Sequence, residues 1–222
     1  MTRRQTAGVP VPGAPDGLRE RKKRRTREAL LHAALRLFTT QGYERTTVDE
    51  IVDAVEVSQR TFFRYFANKE AVVFAVQEAV DARFLAELRQ RPAAETPFEA
   101  MRRAALNAWS TASETGDEDV TAELKMRAYR VIESTPALHG AHMRRHLGLE
   151  QQTASLIAER EGLDLEADPR PRVAVAAFSG VMRLTGQLWG RRKDAGEDAL
   201  RELTELHLDQ LGPALSGSWR TA

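Results

Sequence analysis

Apolar residues recur at helical spacing along most of this chain, and the breaks between them mark out a succession of helices. Leu30, Ala34, Leu37 and Phe38 predict a helix from Arg25 to about Thr40, stopped by Gly42. Thr47 and Glu50 have the spacing of a capping box, and Val48, Ile51, Val52 and Val55 then give a short second helix one apolar face. The pattern breaks at Glu56 and Val57. Ser58 is a further N-cap from which Gln59 to Phe66 run on, with Phe62 and Phe66 four apart and facing a core. Two short helices across a tight turn make a helix-turn-helix, and the first helix is expected to pack on Ile51, Phe62 and Phe66.

Asn68 opens a long helix from Lys69 to about Arg91, with Val72, Val73, Val76, Val80, Phe84 and Leu88 inward and Pro92 beyond its end. Thr96, Pro97 and Glu99 predict another capping box with proline at the first helical position, opening a helix to about Ser113. Glu114 to Asp119 is an acidic turn, followed by a helix from about Val120 to Glu133. Pro136 restarts a segment that runs to Gly162, and Glu161 to Arg172 is a connection. The last two helices differ in character. Pro171 to about Arg192 is rich in small and apolar residues, so another helix can approach it closely. Glu197 to Leu215 carries Leu200, Leu203, Leu206, Leu208, Leu211 and Leu215 on more than one face, which implies burial by the subunit's own core on one side and by a partner on the other. The fold class is all-α.

With 42% hydrophobic residues the 222-residue chain can furnish a real core. It has no cysteine, so it carries neither a disulfide framework nor a thiolate metal or redox site, which fits a reducing interior. No apolar run approaches the roughly 20 residues of a membrane span. Arg3–Arg4 leads into Gln, Thr, Gly and Pro rather than a secretory apolar region. A cytoplasmic protein without membrane contact is expected.

The net charge of +1 hides an asymmetry: residues 1–70 hold 14 Lys and Arg against 9 Asp and Glu, leaving 19 against 23 for the remainder. The positive end is the end with the helix-turn-helix, as an electrostatic footprint for nucleic acid requires. Ahead of it, the Gly and Pro of residues 1–17 rule out a packed element. Residues 1–23 are read as a disordered basic arm, in which Leu18 to Arg25 is either a solvated charge run or a segment that lies along phosphates or enters a minor groove.

On the second short helix, Gln59, Arg60, Thr61, Arg64 and Tyr65 point away from the core face, and no acid intervenes before Ala67. Such groups read base edges and hold phosphates. By chemistry Arg64, Arg60 and Gln59 suit base readout, and Thr47, Tyr65 and Lys69 suit phosphates. The run Thr46–Thr47, then Val57 to Glu70, preceded by Leu37–Phe38 and Gly42–Tyr43, closely resembles the N-terminal domain of the TetR family of transcriptional regulators. The resemblance covers roughly Arg24 to Val73. It implies DNA contacts from Thr47, Gln59, Arg60, Thr61, Phe63, Arg64, Tyr65 and Lys69. Two residues depart from the family pattern: Glu56 stands where a glycine is usual, and Phe63 where many members carry tyrosine. Glu56 must accept strain or its turn must avoid positive φ, and Phe63 offers van der Waals contact in place of a phosphate hydrogen bond.

The resemblance implies three parts: the arm, a three-helix DNA-binding domain at 24–70, and a helical effector-binding and dimerisation domain at 71–222. It places a four-helix dimer interface on the last two helices, here Ala177, Gly180, Val181, Leu184, Leu188, Leu203, His207 and Leu211. It also implies an effector cavity. Met101, Trp109, Met126, Tyr129, Met143, Phe178 and Met182 are core or pocket by their own chemistry; the resemblance favours a pocket for a mostly apolar ligand, with Arg130 or a histidine supplying polarity. His139, His142, His146 and Glu150 fall on one helical face, either as a polar stripe or as metal ligands, and the stripe is preferred: no metal and no cofactor is expected. No nucleophile–base pair or phosphate-binding loop stands out, so no enzyme is expected. The reading is a homodimeric repressor of a double-stranded DNA operator, released by a small unidentified effector. The alternatives are an activator or ligand-independent regulator, and, in another class, a protein-interaction adaptor.

Overall fold

The computed structural model describes residues 16–110, 121–192, 196–217 and 219. Among them it is all-helical: α1 (Asp16–Gln41), α2 (Val48–Asp53), α3 (Gln59–Tyr65), α4 (Lys69–Gln90), α5 (Pro97–Ser110), α6 (Ala122–Ser134), α7 (Pro136–Glu161), α8 (Arg170–Gly190), α9 (Glu197–Asp209) and α10 (Leu211–Leu215). The acidic turn read at Glu114 to Asp119 lies outside the described residues.

The local signals that start these helices are formed. Thr47 Oγ1 accepts from the Glu50 N–H at 3.2 Å while the Thr47 N–H donates to Glu50 Oε2 at 2.8 Å, closing the capping box. Ser58 Oγ accepts from the Thr61 N–H and Asn68 Oδ1 from the Ala71 N–H. At Thr96 only half of the box forms: its hydroxyl accepts from the Glu99 N–H, and the Glu99 carboxylate pairs instead with Arg103, 3.6 Å away. Gly42, at φ 93°, stops α1 in a conformation that side chains with a Cβ rarely adopt.

Two boundaries differ from the sequence reading. The first helix starts at Asp16 rather than near Arg25, so the arm read over residues 1–23 is helical from Asp16 to Lys23. Residues 18–29 lack apolar periodicity but are mostly good helix formers, tied by Lys23–Glu20 and Arg24–Glu28 pairs at 3.7 and 3.3 Å. At the other end the helix expected over 197–215 is broken at Gln210 into α9 and α10. Pro213 has no N–H to offer the Asp209 carbonyl, and its ring crowds that group.

α4 is the hub, packing against α1, α5, α6 and α7. Its N-terminal half, Val72 to Val76, joins Leu30, Leu31, Leu35 and Phe38 of α1, Ile51 and Val52 of α2, and Phe62 and Phe66 of α3 in one buried cluster. That cluster continues without interruption into Leu124, Ile132 and Leu138 of α6 and α7. Its C-terminal half, Phe84, Leu85 and Leu88, is buried with α5, α7, α8 and α9 in a second cluster. One helix therefore belongs to both cores.

Candidate nucleic-acid interface and helical cavity

α3 presents a divided surface. Phe62 and Phe66 are buried at its back, while Gln59, Arg60, Phe63 and Arg64 are exposed and Thr61 and Tyr65 half-buried. Burial of two phenylalanines fixes the roll of a helix only seven residues long, so the polar face is aimed by the core beneath it. Phe63 is 52% exposed, which leaves its ring accessible beside these polar groups.

Several of these polar groups are already held. The Arg64 guanidinium lies 4.9 Å from the Tyr65 ring centroid and donates to the Tyr65 hydroxyl at 3.1 Å. Gln59 donates from Nε2 to Asp49 Oδ1 across the turn. Thr61 and Ser58 hydroxyls are 3.0 Å apart. Thr47 is occupied by its capping box, and Glu50 is shared with Gln41, whose Nε2 donates to it at 3.1 Å. The Thr47 backbone bond, with help from Gln41, holds the Glu50 carboxyl below the usual carboxylate range. Arg60 has no ion pair or hydrogen bond among the described residues and is exposed.

Lys69 differs from the simple phosphate ligand that its chemistry suggested. Its Nζ donates to the carbonyls of Tyr43 and Thr46 at 3.0 and 2.7 Å and lies 4.6 Å from the Tyr43 ring centroid. It clamps the first turn of α4 to the α1–α2 connection, leaving one N–H. Burial, with Glu70 and Glu44 nearby, pushes the Tyr43 hydroxyl up to about 12. Glu56, in the turn between α2 and α3, adopts φ 56° and is exposed. The turn keeps the left-handed conformation, so the side chain there stores strain.

Further along the chain, a cavity of about 150 Å³ opens among α4 to α8, reaching Leu200 of α9. Val76, Val80 and Phe84 of α4 line it, as do the large side chains of Trp109, Tyr129, Phe178, Met182 and Trp189. Of the residues read as ligand candidates, Trp109, Tyr129, Phe178 and Met182 line the cavity, and Met101, Met126, Arg130 and Met143 do not. Met101 is fully buried between α4 and α5, and Met126 packs with Trp189, Leu200 and Leu203. Arg130 donates to the carbonyls of Gly190 and Arg192 at 3.3 and 2.8 Å, capping the end of α8 instead. Close approach at α8 is made by a ring: Tyr129 lies so near Gly190 that a Cβ there would come within 2.6 Å of Cδ1.

The cavity's polarity comes from Gln77 and Asp81 of α4, Lys125 and Tyr129 of α6, His142 and His146 of α7 and Arg183 of α8. Gln77 donates to Asp81 at 2.8 Å, and burial raises the Asp81 carboxyl to about 6. His142 is 3% exposed, its Nε2 is 3.0 Å from that of His146, and its Nδ1 is buried without a partner among the described residues. Burial, then the neighbouring His146, lowers His142 to about 4, and burial followed by Arg183 lowers His146. Burial and Glu133 push the Tyr129 hydroxyl up. His139 turns away to Glu133, 3.2 Å off, which divides the expected stripe. Among the described residues no group of three or more His, Asp or Glu is placed to hold a metal. The sequence signal for Asp81 was a carboxylate in the stripe Gln77, Asp81, Phe84, Leu88 of an otherwise apolar face.

α8 and α9 pack together and leave an apolar stripe outward. Ala177, Gly180, Val181 and Leu188 are half-buried and Leu184 is 44% exposed, joined by Val173 and Leu206, which the sequence reading did not assign to the interface. Leu203 turns into the subunit's own core beside Met126 and Trp189. His207 is bound through Nδ1 to the Leu203 carbonyl at 2.6 Å, and Leu211 opens α10. Among the described residues no helix is long and apolar enough to cross a membrane.

Comparison with known proteins agrees with this architecture. The family described as bacterial regulatory proteins, tetR family, matches residues 30–76, and the MftR C-terminal domain matches residues 95–216. The chain is 45% identical over 210 residues to the HTH-type transcriptional regulator TcmR of Streptomyces glaucescens, covering 95% of this chain and 92% of that one. Its fold is similar to that of SmeT in complex with triclosan (19% identity, TM-score 0.58, 86% and 91% covered). It is also similar to NalD of Pseudomonas aeruginosa, the secondary repressor of the MexAB-OprM multidrug efflux pump (20% identity, TM-score 0.55, 85% and 96% covered). Both of its halves and nearly its whole length thus match, and the chain belongs to the TetR family of bacterial transcriptional regulators, which are not enzymes.

Proposed function

We propose that this protein is a homodimeric repressor that occupies a pseudo-palindromic operator in the cytoplasm and leaves it when a small, mostly apolar effector enters the α4–α8 cavity. The observation that carries the reading is the double membership of α4. Val72 to Val76 are part of the core under the recognition helix, and Val76, Val80 and Phe84 line the cavity. An effector that favours a different seat for α4 must move α3 with it, and it shifts DNA affinity only by its preference for that seat.

In this reading Arg60, Arg64 and Gln59 address base edges, Phe63 meets sugar or a thymine methyl, and Thr47, Thr61, Tyr65 and the remaining N–H of Lys69 address phosphates. The outward stripe of α8 and α9 supplies the dimer contact, which sets two copies of α3 about one DNA turn, roughly 34 Å, apart. SmeT with bound triclosan and the repressor NalD lend support by analogy of fold. The test is selection of bound duplexes from a random pool by the full chain. A palindromic motif with half-sites one turn apart is expected, and the absence of any enriched motif overturns the reading.

A further inference from the structure

The charged groups of the cavity are unevenly matched. The titratable residues that line it are Asp81 from α4, Lys125 and Tyr129 from α6, His142 and His146 from α7 and Arg183 from α8. Lys125 is 8% exposed and donates to the Trp109 carbonyl at 3.3 Å. Arg183 is half-buried, and it makes no salt bridge or hydrogen bond among the described residues. Of the titratable groups that line the cavity, His146 and Tyr129 both feel the charge of Arg183. Asp81, the single carboxylate lining the cavity among the described residues, takes its hydrogen bond from Gln77 and its charge interactions from Glu78 and Arg145, not from Arg183. A half-buried guanidinium at the wall of a largely apolar cavity, with no acid paired to it among the described residues, is available to an anion that enters.

We infer that the effector carries one ionised oxygen, a carboxylate or the anion of an acidic phenol or enol, on a compact aromatic body, and that Arg183 receives that oxygen. This rests on the cavity being the effector site. The other polar groups suit the role. Burial holds both imidazoles below their ordinary range, so at pH 7 they offer hydrogen bonds without adding charge, while the Tyr129 O–H is engaged with Glu133. Phe84, Trp109, Phe178 and Trp189 provide ring faces for the body. The volume, about 150 Å³, takes a single substituted ring without enlargement. A guanidinium reads carboxylate and phenolate alike through paired N–H donors, so charge and ring size define the class.

The experiment uses 4-nitrophenol, whose ionisation changes its colour, with its methyl ether 4-nitroanisole as the neutral match and 4-isopropylbenzoate with its amide as the carboxylate pair. Binding is read from quenching of Trp109 and Trp189, in protein whose exposed Trp219 is replaced by Phe. In the full-length protein, 4-nitrophenol is expected to ionise about one pH unit lower when bound than when free, equivalent to about tenfold tighter binding of the anion. The benzoate should exceed its amide by a similar factor. Arg183→Gln should abolish both preferences while 4-nitroanisole still binds, and Arg183→Lys should keep part of them. Unchanged binding of the ether certifies that the variant cavity is intact. Equal affinity for charged and neutral members in the wild-type protein overturns the anion inference and leaves the cavity as an effector site. No quenching by any probe overturns both.

Discussion

His142 in α7 lies nearly parallel to Phe74 in α4, their ring centroids 6.3 Å apart and their planes 13° from parallel. His142 lines the cavity, whereas Phe74 is fully buried in the cluster that also contains Phe62 and Phe66 of the recognition helix. The Arg145 guanidinium also lies over the Phe74 ring, 4.4 Å from its centroid. This pair of rings therefore joins the cavity to the DNA-binding core, beside Val76, which lines the one and is buried in the other. Phe74→Leu is expected to cost about 1–3 kcal/mol of stability in urea titration. It should also weaken the effect of any cavity ligand on operator affinity by more than it weakens operator binding itself; an unchanged ligand effect would show that the coupling runs elsewhere.

Arg64 is exposed and already oriented by Tyr65, so little side-chain freedom remains to be lost on contact with DNA. Arg64→Ala is expected to cost about 1–3 kcal/mol on the best site and to relax preference at one base pair, measured by competition among single-base variants of the operator. An equal loss on every sequence would instead assign Arg64 to the backbone.

Glu56 occupies the left-handed region at φ 56° in the turn between α2 and α3. Glu56→Gly removes a side-chain strain of about 1–2 kcal/mol and adds unfolded-state freedom worth somewhat less. A net gain of about 0.5–1 kcal/mol in thermal or urea unfolding is expected, with operator specificity unchanged. A loss of stability would mean that the Glu56 side chain has a compensating role.

Asp81 and His142 pull stability in opposite directions as pH changes. The Asp81 carboxyl is raised from 3.8 to about 6, so the folded state binds more protons than the unfolded one between those values, and stability falls as pH rises through the window. His142 is lowered from 6.5 to about 4, so stability falls as pH drops through that range. Asp81→Asn, which keeps an oxygen for Gln77, is expected to gain about 2 kcal/mol at about pH 7.5 and nothing near about pH 4. Between these limits its stability should rise with pH more steeply than that of the wild type, because the opposing titration is gone. A gain independent of pH would mean that the charge of Asp81 is not the cause.

The DNA-binding end was legible because its determinants are local. Thr47, Ser58 and Asn68 cap the residues three positions on, and Phe62 and Phe66 orient α3 by spacing alone. The start of α1 was not legible from periodicity, since its first turns touch no core and are held by ion pairs and propensity. The break before α10 was in plain sight as Pro213. The cavity was half legible: aromatic and sulfur-bearing residues were marked as core or pocket, but only packing decides that Met101 fills and Trp109 lines. Lys69 and Arg130 were read by charge, and both are bound to main-chain carbonyls far away in sequence. Arg183 gave no signal of its own, because its meaning lies in having no acid paired to it among the described residues.

The most direct measurement is the mass of the complex formed on the selected duplex, by sedimentation, alongside titration of the same duplex and of a single half-site at two salt concentrations. Two chains per duplex, far weaker binding to the half-site and a steep fall in affinity with salt are predicted. One chain per half-site, bound with equal affinity whether the sites are joined or separate, would contradict the dimeric operator-binding account.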